Sequence, residues 1–304
     1  MINKKHYEVI IVGGSYAGLS AAMALGRSLR NVLIIDSGRP CNAQTPHSHN
    51  FITQDGIAPK LIAENAMKQV LAYKTVTFLS DIVTTADKEK GHFKVQTKNN
   101  KTFACKKILF TTGVKDVMPQ IQGFPQCWGI SVLHCPYCHG YEVRNEKTGI
   151  LANGETAFDL CKLIQHWTDD LTLFTNGKPD LSVDQKAVIE KLNIKVIEKE
   201  ISELEHSNGV LDRIAFTDGS KFPLKAIFSR AAFEQHCNVP FALGCALSDE
   251  GYIDVDFFQK TSVDGIFAAG DNTTRMRTVS LAVAAGTKAG ASINMELINE
   301  KLPY

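Results

Sequence analysis

Glu8-Val9-Ile10-Ile11-Val12-Gly13-Gly14-Ser15-Tyr16-Ala17-Gly18 is the stretch whose reading decides the fold. Its apolar, β-branched run predicts a strand buried on both faces. A glycine turn follows, then a helical pattern to about Arg30. Asn31-Val32-Leu33-Ile34-Ile35 reads as a second strand, ending in Asp36. Strand, glycine turn, helix, strand and acid is the order of a dinucleotide-binding unit. Gly13 permits the tight turn, and Gly18 with Ala17, Ala21 and Ala22 lets the helix approach the sheet. The helix N-terminus offers free N–H groups and a positive dipole end to a pyrophosphate. Asp36 is placed for a ribose hydroxyl. Ser15 fills the middle glycine slot, where a small side chain still allows close approach.

Outward from this unit, Gly38-Arg39-Pro40-Cys41-Asn42 starts a loop, and Pro46-His47-Ser48-His49-Asn50 packs polar groups into a short space. The two histidines at i, i+2 read as loop residues near a cofactor rather than metal ligands, since no acidic or cysteine partner stands nearby in sequence. Lys60–Tyr73 predicts an amphipathic helix and Thr75–Leu79 a strand. Phe93–Thr97 alternates as a half-wet strand. Cys105–Thr111 is another strand, closing on Thr112-Gly113. These neighbours predict an antiparallel meander beside the parallel sheet. Near the C-terminus, Gly251–Val255 and Gly265–Ala269 read as strands, Gly270-Asp271 closes the second, and a helix follows from about Val279. Its face of Ala282, Gly286, Ala289 and Ile293 predicts close packing. A carboxylate at a buried strand end, as at Asp271, needs a specific partner.

The middle of the chain repeats the first design. Lys147–Leu151 is a strand, Ala152-Asn153-Gly154-Glu155-Thr156-Ala157 a second glycine-type turn, a helix runs through Trp167, and Leu171–Phe174 is the next strand. The first glycine slot here is Ala152, and the strand ends in Thr175-Asn176-Gly177, with neither an acid for a ribose hydroxyl nor an arginine for a 2′-phosphate. Just before this unit stands His134-Cys135-Pro136-Tyr137-Cys138-His139-Gly140. Cys-x-x-Cys-His is open to three readings: a c-type haem attachment signature, a half-set of zinc ligands, or a redox dithiol with a proton carrier on either side. Haem is foreign to two nucleotide-type units. Zinc calls for a second, separated ligand pair.

Composition narrows the rest. The 304 residues carry 33 Lys+Arg against 32 Asp+Glu, a net charge of +1, which points to neither nucleic acid nor an anionic membrane surface. No secretory leader and no apolar run long enough to span a bilayer is read, so the chain is expected in the cytoplasm. In a reducing compartment, six of the eight cysteines are expected to be buried small hydrophobes, the pair Cys135/Cys138 being the exception.

Together, Val12–Leu19, Thr112-Gly113, Gly129–Glu142 and Thr261–Asp271 with the following helix resemble the low-molecular-weight thioredoxin reductase family of flavoproteins, in the same order and over essentially the whole chain. The resemblance implies an α/β fold of two Rossmann-like domains, parallel sheet plus antiparallel meander. An FAD domain of residues 1–114 and 246–304 would hold an inserted NAD(P)-type domain, 115–245, that carries the cysteine pair. It implies an FAD-dependent dithiol/disulfide oxidoreductase, a homodimer, exchanging electrons with a thioredoxin-like protein or a small-molecule dithiol. FAD would be held by Gly13, Gly14, Ser15, Ala17, Gly18, Asp36, Arg39, Asn50, Gly113, Gly270 and Asp271. Cys138 would face the flavin, Cys135 would be the interchange thiol, and His139 with His134 would move the proton; no metal is expected. Members that use NADPH carry an intact second glycine motif and a His-Arg-Arg type run, both replaced here, so NADPH stays open. An aspartate usually follows the second cysteine; here it is His139. Cys-Pro-Tyr-Cys-His-Gly-Tyr-Glu is closer to a subgroup that includes oxygen-using dithiol oxidases of small molecules. Reductases fed by another protein are also similar, and a flavin-containing redox sensor without turnover shares every site residue.

Overall fold

The computed structural model describes residues 5–89 and 91–302. The chain divides into two compact units. Met1–Ala43, Lys60–Lys115 and Phe233–Tyr304 form the first; Gln44–Pro59 and Asp116–Ala232 form the second. Against the boundaries expected from sequence, the return to the first unit comes at Phe233 rather than residue 246. Val239 and Cys245 explain this, because both are buried in one cluster with Ile10, Val12 and Phe110. The loop Gln44–Pro59, expected in the first domain, packs with the second unit. There the Gln44 side-chain amide donates to the carbonyls of Pro125, at 3.1 Å, and Trp128.

In the first unit the chain runs β1 (Lys5–Val12), α1 (Tyr16–Arg27), β2 (Val32–Asp36), α2 (Pro59–Leu71), β3 (Val76–Ser80), β4 (Val83–Glu89), β5 (His92–Thr97) and β6 (Thr102–Phe110). The sheet order is β3-β2-β1-β6-β5-β4. It is parallel from β3 to β6 and antiparallel beyond. β4, short of apolar residues, was not expected. The near end of β6 pairs with β5, while its far end pairs in parallel with β17 (Ile266–Ala268). Alternation along β1 then sorts the core. Ile10 and Val12 face the meander side, with Phe93, Val95 and Phe110. Val9 and Ile11 face helices, with Leu19, Leu25, Val70 and Ile293. That is why the parallel strands read as unbroken apolar runs. Gly251–Val255, expected as a strand, makes only the isolated bridge Leu247–Ile253; Ile253 N–H donates to the Asn272 carbonyl at 2.9 Å instead of to a ladder.

α8 (Val279–Asn299) closes the first unit against α1. A Cβ on Gly286 would land on the Ala17 carbonyl, and one on Gly290 would lie 2.8 Å from that of Ala21. Two polar clamps fix its far end. Arg30 reaches Asn294 (2.7 Å) and Glu8 (2.8 Å), and the buried Lys107 reaches Glu296 (2.6 Å) and Glu300 (2.5 Å).

The chain crosses between the units through β7 (Val114–Val117) and β16 (Ala232–Gln235), which pair with each other. The second unit contains α3 (Phe124–Cys127), β8 (Val132–Leu133), α4 (Pro136–His139), β9 (Thr148–Leu151), α5 (Gly154–Ile164), β10 (Leu171–Phe174), α6 (Val183–Lys191) and β11 (Lys195–Ile197). β12 (Ile201–Ser207), β13 (Val210–Phe216), β14 (Lys221–Pro223) and β15 (Ala226–Ser229) follow; α7 (Val239–Ala242) lies in the first unit. The second unit's parallel sheet runs β11-β10-β9-β15-β8, and its antiparallel sheet is β12-β13-β14. Among the described residues, no helix is long and apolar enough to cross a membrane.

Candidate active site and cofactor cradle

The glycine turn of the first unit is built for close approach. Gly13 has φ +109°, and a Cβ there would strike the Thr111 carbonyl; a Cβ on Gly18 would strike the Gly13 carbonyl. Thr111 Oγ1 donates to that same Gly13 carbonyl at 2.7 Å, so the end of β6 is tied to the turn. Ser15 stands at the N-cap of α1 but makes no capping bond, and α1 has no acid in its first turn. Asp36 accepts the Gly14 N–H at 2.7 Å through one oxygen and the Gly38 N–H at 2.8 Å through the other. It therefore shapes the turn, and each oxygen keeps a lone pair for a hydroxyl.

The far side of the same cradle is the turn Gly270-Asp271-Asn272. Gly270 has φ +95° and leaves 3.0 Å between an added Cβ and Ala17. Asp271 is partly buried, with Arg277 Nε at 3.7 Å and the Cys41 thiol at 3.9 Å. Asn272 is fully buried; its amide donates to the Phe110 carbonyl at 3.0 Å, yet its Oδ1 has no partner. Nor has the buried Oγ1 of Thr112, which sits where β6 ends. Buried polar atoms are seldom left so. A cradle that a Cβ would fill, flanked by two such atoms, fits the polar groups of FAD. Asn272 and Arg277 escaped the sequence reading, and Thr112 entered it only through the Thr112-Gly113 turn, because an unmatched buried atom such as Asn272 Oδ1 or Thr112 Oγ1 has no local pattern. Of the other expected cofactor residues, Gly14 and Ala17 lie in the turn, Gly113 is left-handed at φ +61°, and Arg39 is exposed. Asn50 packs with the second unit, where its N–H donates to Asp55 at 2.8 Å.

In the second unit Cys135 and Cys138 are joined as a disulfide, Cα to Cα 5.3 Å. Cys135 is the N-cap of α4 and Pro136 its first residue, a position where the missing N–H costs nothing. The N–H groups of Cys138 (3.2 Å) and His139 (3.1 Å) both donate to the Cys135 carbonyl. Gly140 is required next, since a Cβ would lie 2.8 Å from Trp167 Nε1 and 2.5 Å from the Pro136 carbonyl. Tyr137, exposed, sets its ring edge-on to Trp167 at 5.7 Å. His134 stacks on Trp128 at 5.9 Å, and Trp128 on Phe124. Burial pulls the His139 imidazole below its ordinary pKa, the neighbouring His49 adds to this, and Glu142 opposes both.

The sequence shows no acidic partner close to His49 along the chain. The structure gives it two: Asp55 lies 3.6 Å from its Nδ1 and Glu142 3.6 Å from its Nε2. One is six residues on and the other comes from beyond the cysteine pair. Among the described residues, no group of three His, Cys, Asp or Glu is arranged to hold a metal ion. The cysteines expected to be buried are so at 105, 127, 161 and 245, but Cys41 is exposed, because its loop leaves the sheet edge, and Cys237 is half-buried.

The second glycine turn is differently furnished. Asn153 Oδ1 accepts the N–H of Gly154 at 2.9 Å and of Asp180 at 2.8 Å, while its amide donates to the Lys178 carbonyl at 2.9 Å. Glu155 occupies the first turn of α5 and accepts from Gln185 at 2.6 Å. The Asp180 carboxylate lies 3.7 Å from where a Gly154 Cβ would be. An anion arriving at this helix start meets one amide already bonded and two carboxylates.

The family model for pyridine nucleotide-disulphide oxidoreductases matches residues 7–286. The thioredoxin reductase tcpT of Claviceps purpurea is 30% identical over 302 residues, covering 96% of this chain and 94% of its own. An oxidoreductase structure from Agrobacterium tumefaciens is 34% identical with a TM-score of 0.90, covering 97% of this chain and 100% of that one. A putative thioredoxin reductase from Bacillus anthracis is 29% identical with a TM-score of 0.93, over 97% and 100%.

Proposed function

Because the chain belongs to the pyridine nucleotide-disulphide oxidoreductase family and is an oxidoreductase of the thioredoxin reductase type, we propose that it exchanges dithiol and disulfide with a partner through Cys135 and Cys138, and that NADPH does not feed it at the second glycine turn. The observation that carries this reading is the bonded Cys135–Cys138 pair on one helical turn, with a half-buried, neutral-leaning imidazole directly after it. FAD, which the family implies, supplies the two-electron chemistry when bound. Gly13, Gly18 and Asp36 would hold its nucleotide end, and Thr112, Asp271 and Asn272 its other polar groups.

In the exchange, a thiolate of the partner attacks Cys135 Sγ. The Cys135–Cys138 bond breaks and Cys138 leaves as a thiolate. The partner's second thiol then displaces Cys135, so the partner ends as a disulfide and the protein as a dithiol. His139 takes up the proton that each attacking thiol gives up on becoming a thiolate and hands it on to the departing cysteine sulfur, so two thiols remain. A thioredoxin-like protein or a small dithiol both satisfy this chemistry. Asn153, Glu155 and Asp180 support the second half of the proposal, since a pyrophosphate or 2′-phosphate needs free amides or cations where they stand.

The test is anaerobic, on the purified yellow protein. Neither NADPH nor NADH should bleach the flavin band near ~450 nm, whereas dithiothreitol should. Cys138→Ser should keep the yellow colour and resist the dithiol. Rapid bleaching by NADPH would overturn the reading of the second turn; full response of Cys138→Ser would overturn the exchange pair. Recovery of colour in air would make oxygen the acceptor, and no recovery would make it another electron-carrier protein.

A further inference from the structure

The segment Gln44–Pro59 is a strap on the second unit, and it brings His49 to the redox turn. The strap is held at several points. Its Gln44 amide bonds two carbonyls, its Thr45 hydroxyl occupies the space a Cβ on Gly129 would need, and Ser48 pairs with Ile57 to close it as a small hairpin. His47 Nδ1 lies 3.0 Å from the Gly56 carbonyl within that hairpin. His49 is thus a placed side chain, only 19% exposed. Its ring meets that of His139 edge-on, 6.2 Å between centroids at 90°.

We propose that His49 is a positioning residue for the exchange: set between Asp55 and Glu142 and edge-on to His139, it holds the His139 ring in place and biases it toward the neutral base that follows Cys138. This rests on the reading of Cys135–Cys138 as the exchange pair. Two imidazolium ions this close repel, so charge on one ring disfavours charge on the other. Burial already pushes His139 toward its neutral form and the neighbouring His49 adds to this, while the carboxylates of Asp55 and Glu142 each stand 3.6 Å from a His49 ring nitrogen. Among the described residues, the titratable groups facing the two rings are His47, Asp55 and Glu142.

The experiment follows His139 in the holoprotein by the pH titration of its ring resonances. Beside it runs the anaerobic rate at which dithiothreitol reduces the pair, normalised to the probe's own thiolate. His49→Gln removes the neighbouring imidazole that pushes His139 down, so the His139 midpoint and the acid limb of the rate should rise together by about 1 pH unit. His49→Lys keeps a permanent charge and should leave both at or below their wild-type positions. An unmoved midpoint in His49→Gln, or equal slowing at every pH with the limb in place, would overturn the proposal and reduce His49 to a structural role. If dithiothreitol fails to reduce the wild-type pair while the midpoint still moves, the coupling stands and the exchange reading fails.

Discussion

Burial raises the thiol pKa of Cys105, Cys127, Cys161, Cys237 and Cys245, that of Cys161 to about 12. At pH 8 the Cys161 thiol is thiolate in about one molecule in ten thousand, and only the thiolate is alkylated at a useful rate. Iodoacetamide added to the dithiol-reduced holoprotein should therefore mark the redox pair and spare these five, as read by peptide mass spectrometry. Labelling of Cys161 as fast as Cys135 would contradict the burial. The pair itself was legible in the sequence because two residues of spacing on one turn are enough to bring two sulfurs together. His49 was legible only as a polar loop residue. Glu142 stands 93 positions away, and no periodicity links a loop to a distant turn at that range.

Between elements, the α1–α8 contact shows how a pattern can be read for the right reason. Gly286, Ala289 and Ile293 fall on the face that sequence spacing had assigned to close packing, and all three are buried. Gly286→Ala gains up to about 1 kcal/mol of helix propensity. The new methyl, however, would sit on the Ala17 carbonyl, a backbone atom that cannot swing away. Overpacking of this kind costs about 1–3 kcal/mol, so the variant should unfold at lower urea than the parent. A higher midpoint would show that α8 can shift freely. Two elements were misread, for opposite causes. β4 is nearly all polar on its outer face, so alternation gave no signal, whereas Gly251–Val255 has strand composition but bonds across a loop to Asn272 and Ala246.

For the whole molecule, two β-α-β units were visible because each is local, and the doubly wound fold followed from them. The borders between units were not, since they depend on which core buries Val239 and Cys245, a choice made by tertiary packing alone. The glycine cradle of the first unit leaves Thr112 and Asn272 with unmatched buried atoms. A ligand that fills it should add stability by mass action, about 4 kcal/mol at a thousandfold excess over its Kd. Protein stripped of flavin should melt at a lower temperature, and its Tm should climb with added FAD. A Tm indifferent to FAD would remove the cradle from consideration as the flavin site.

The strap has a consequence for heredity as well as for chemistry. A gene segment coding only for 116–232 would leave behind residues 44–59, the stretch that carries His49 and packs on that unit. Shuffling the redox unit into another scaffold, by recombination or by an engineer, therefore takes two separate pieces of message. A single crossover would deliver the cysteines without the histidine that stands beside them.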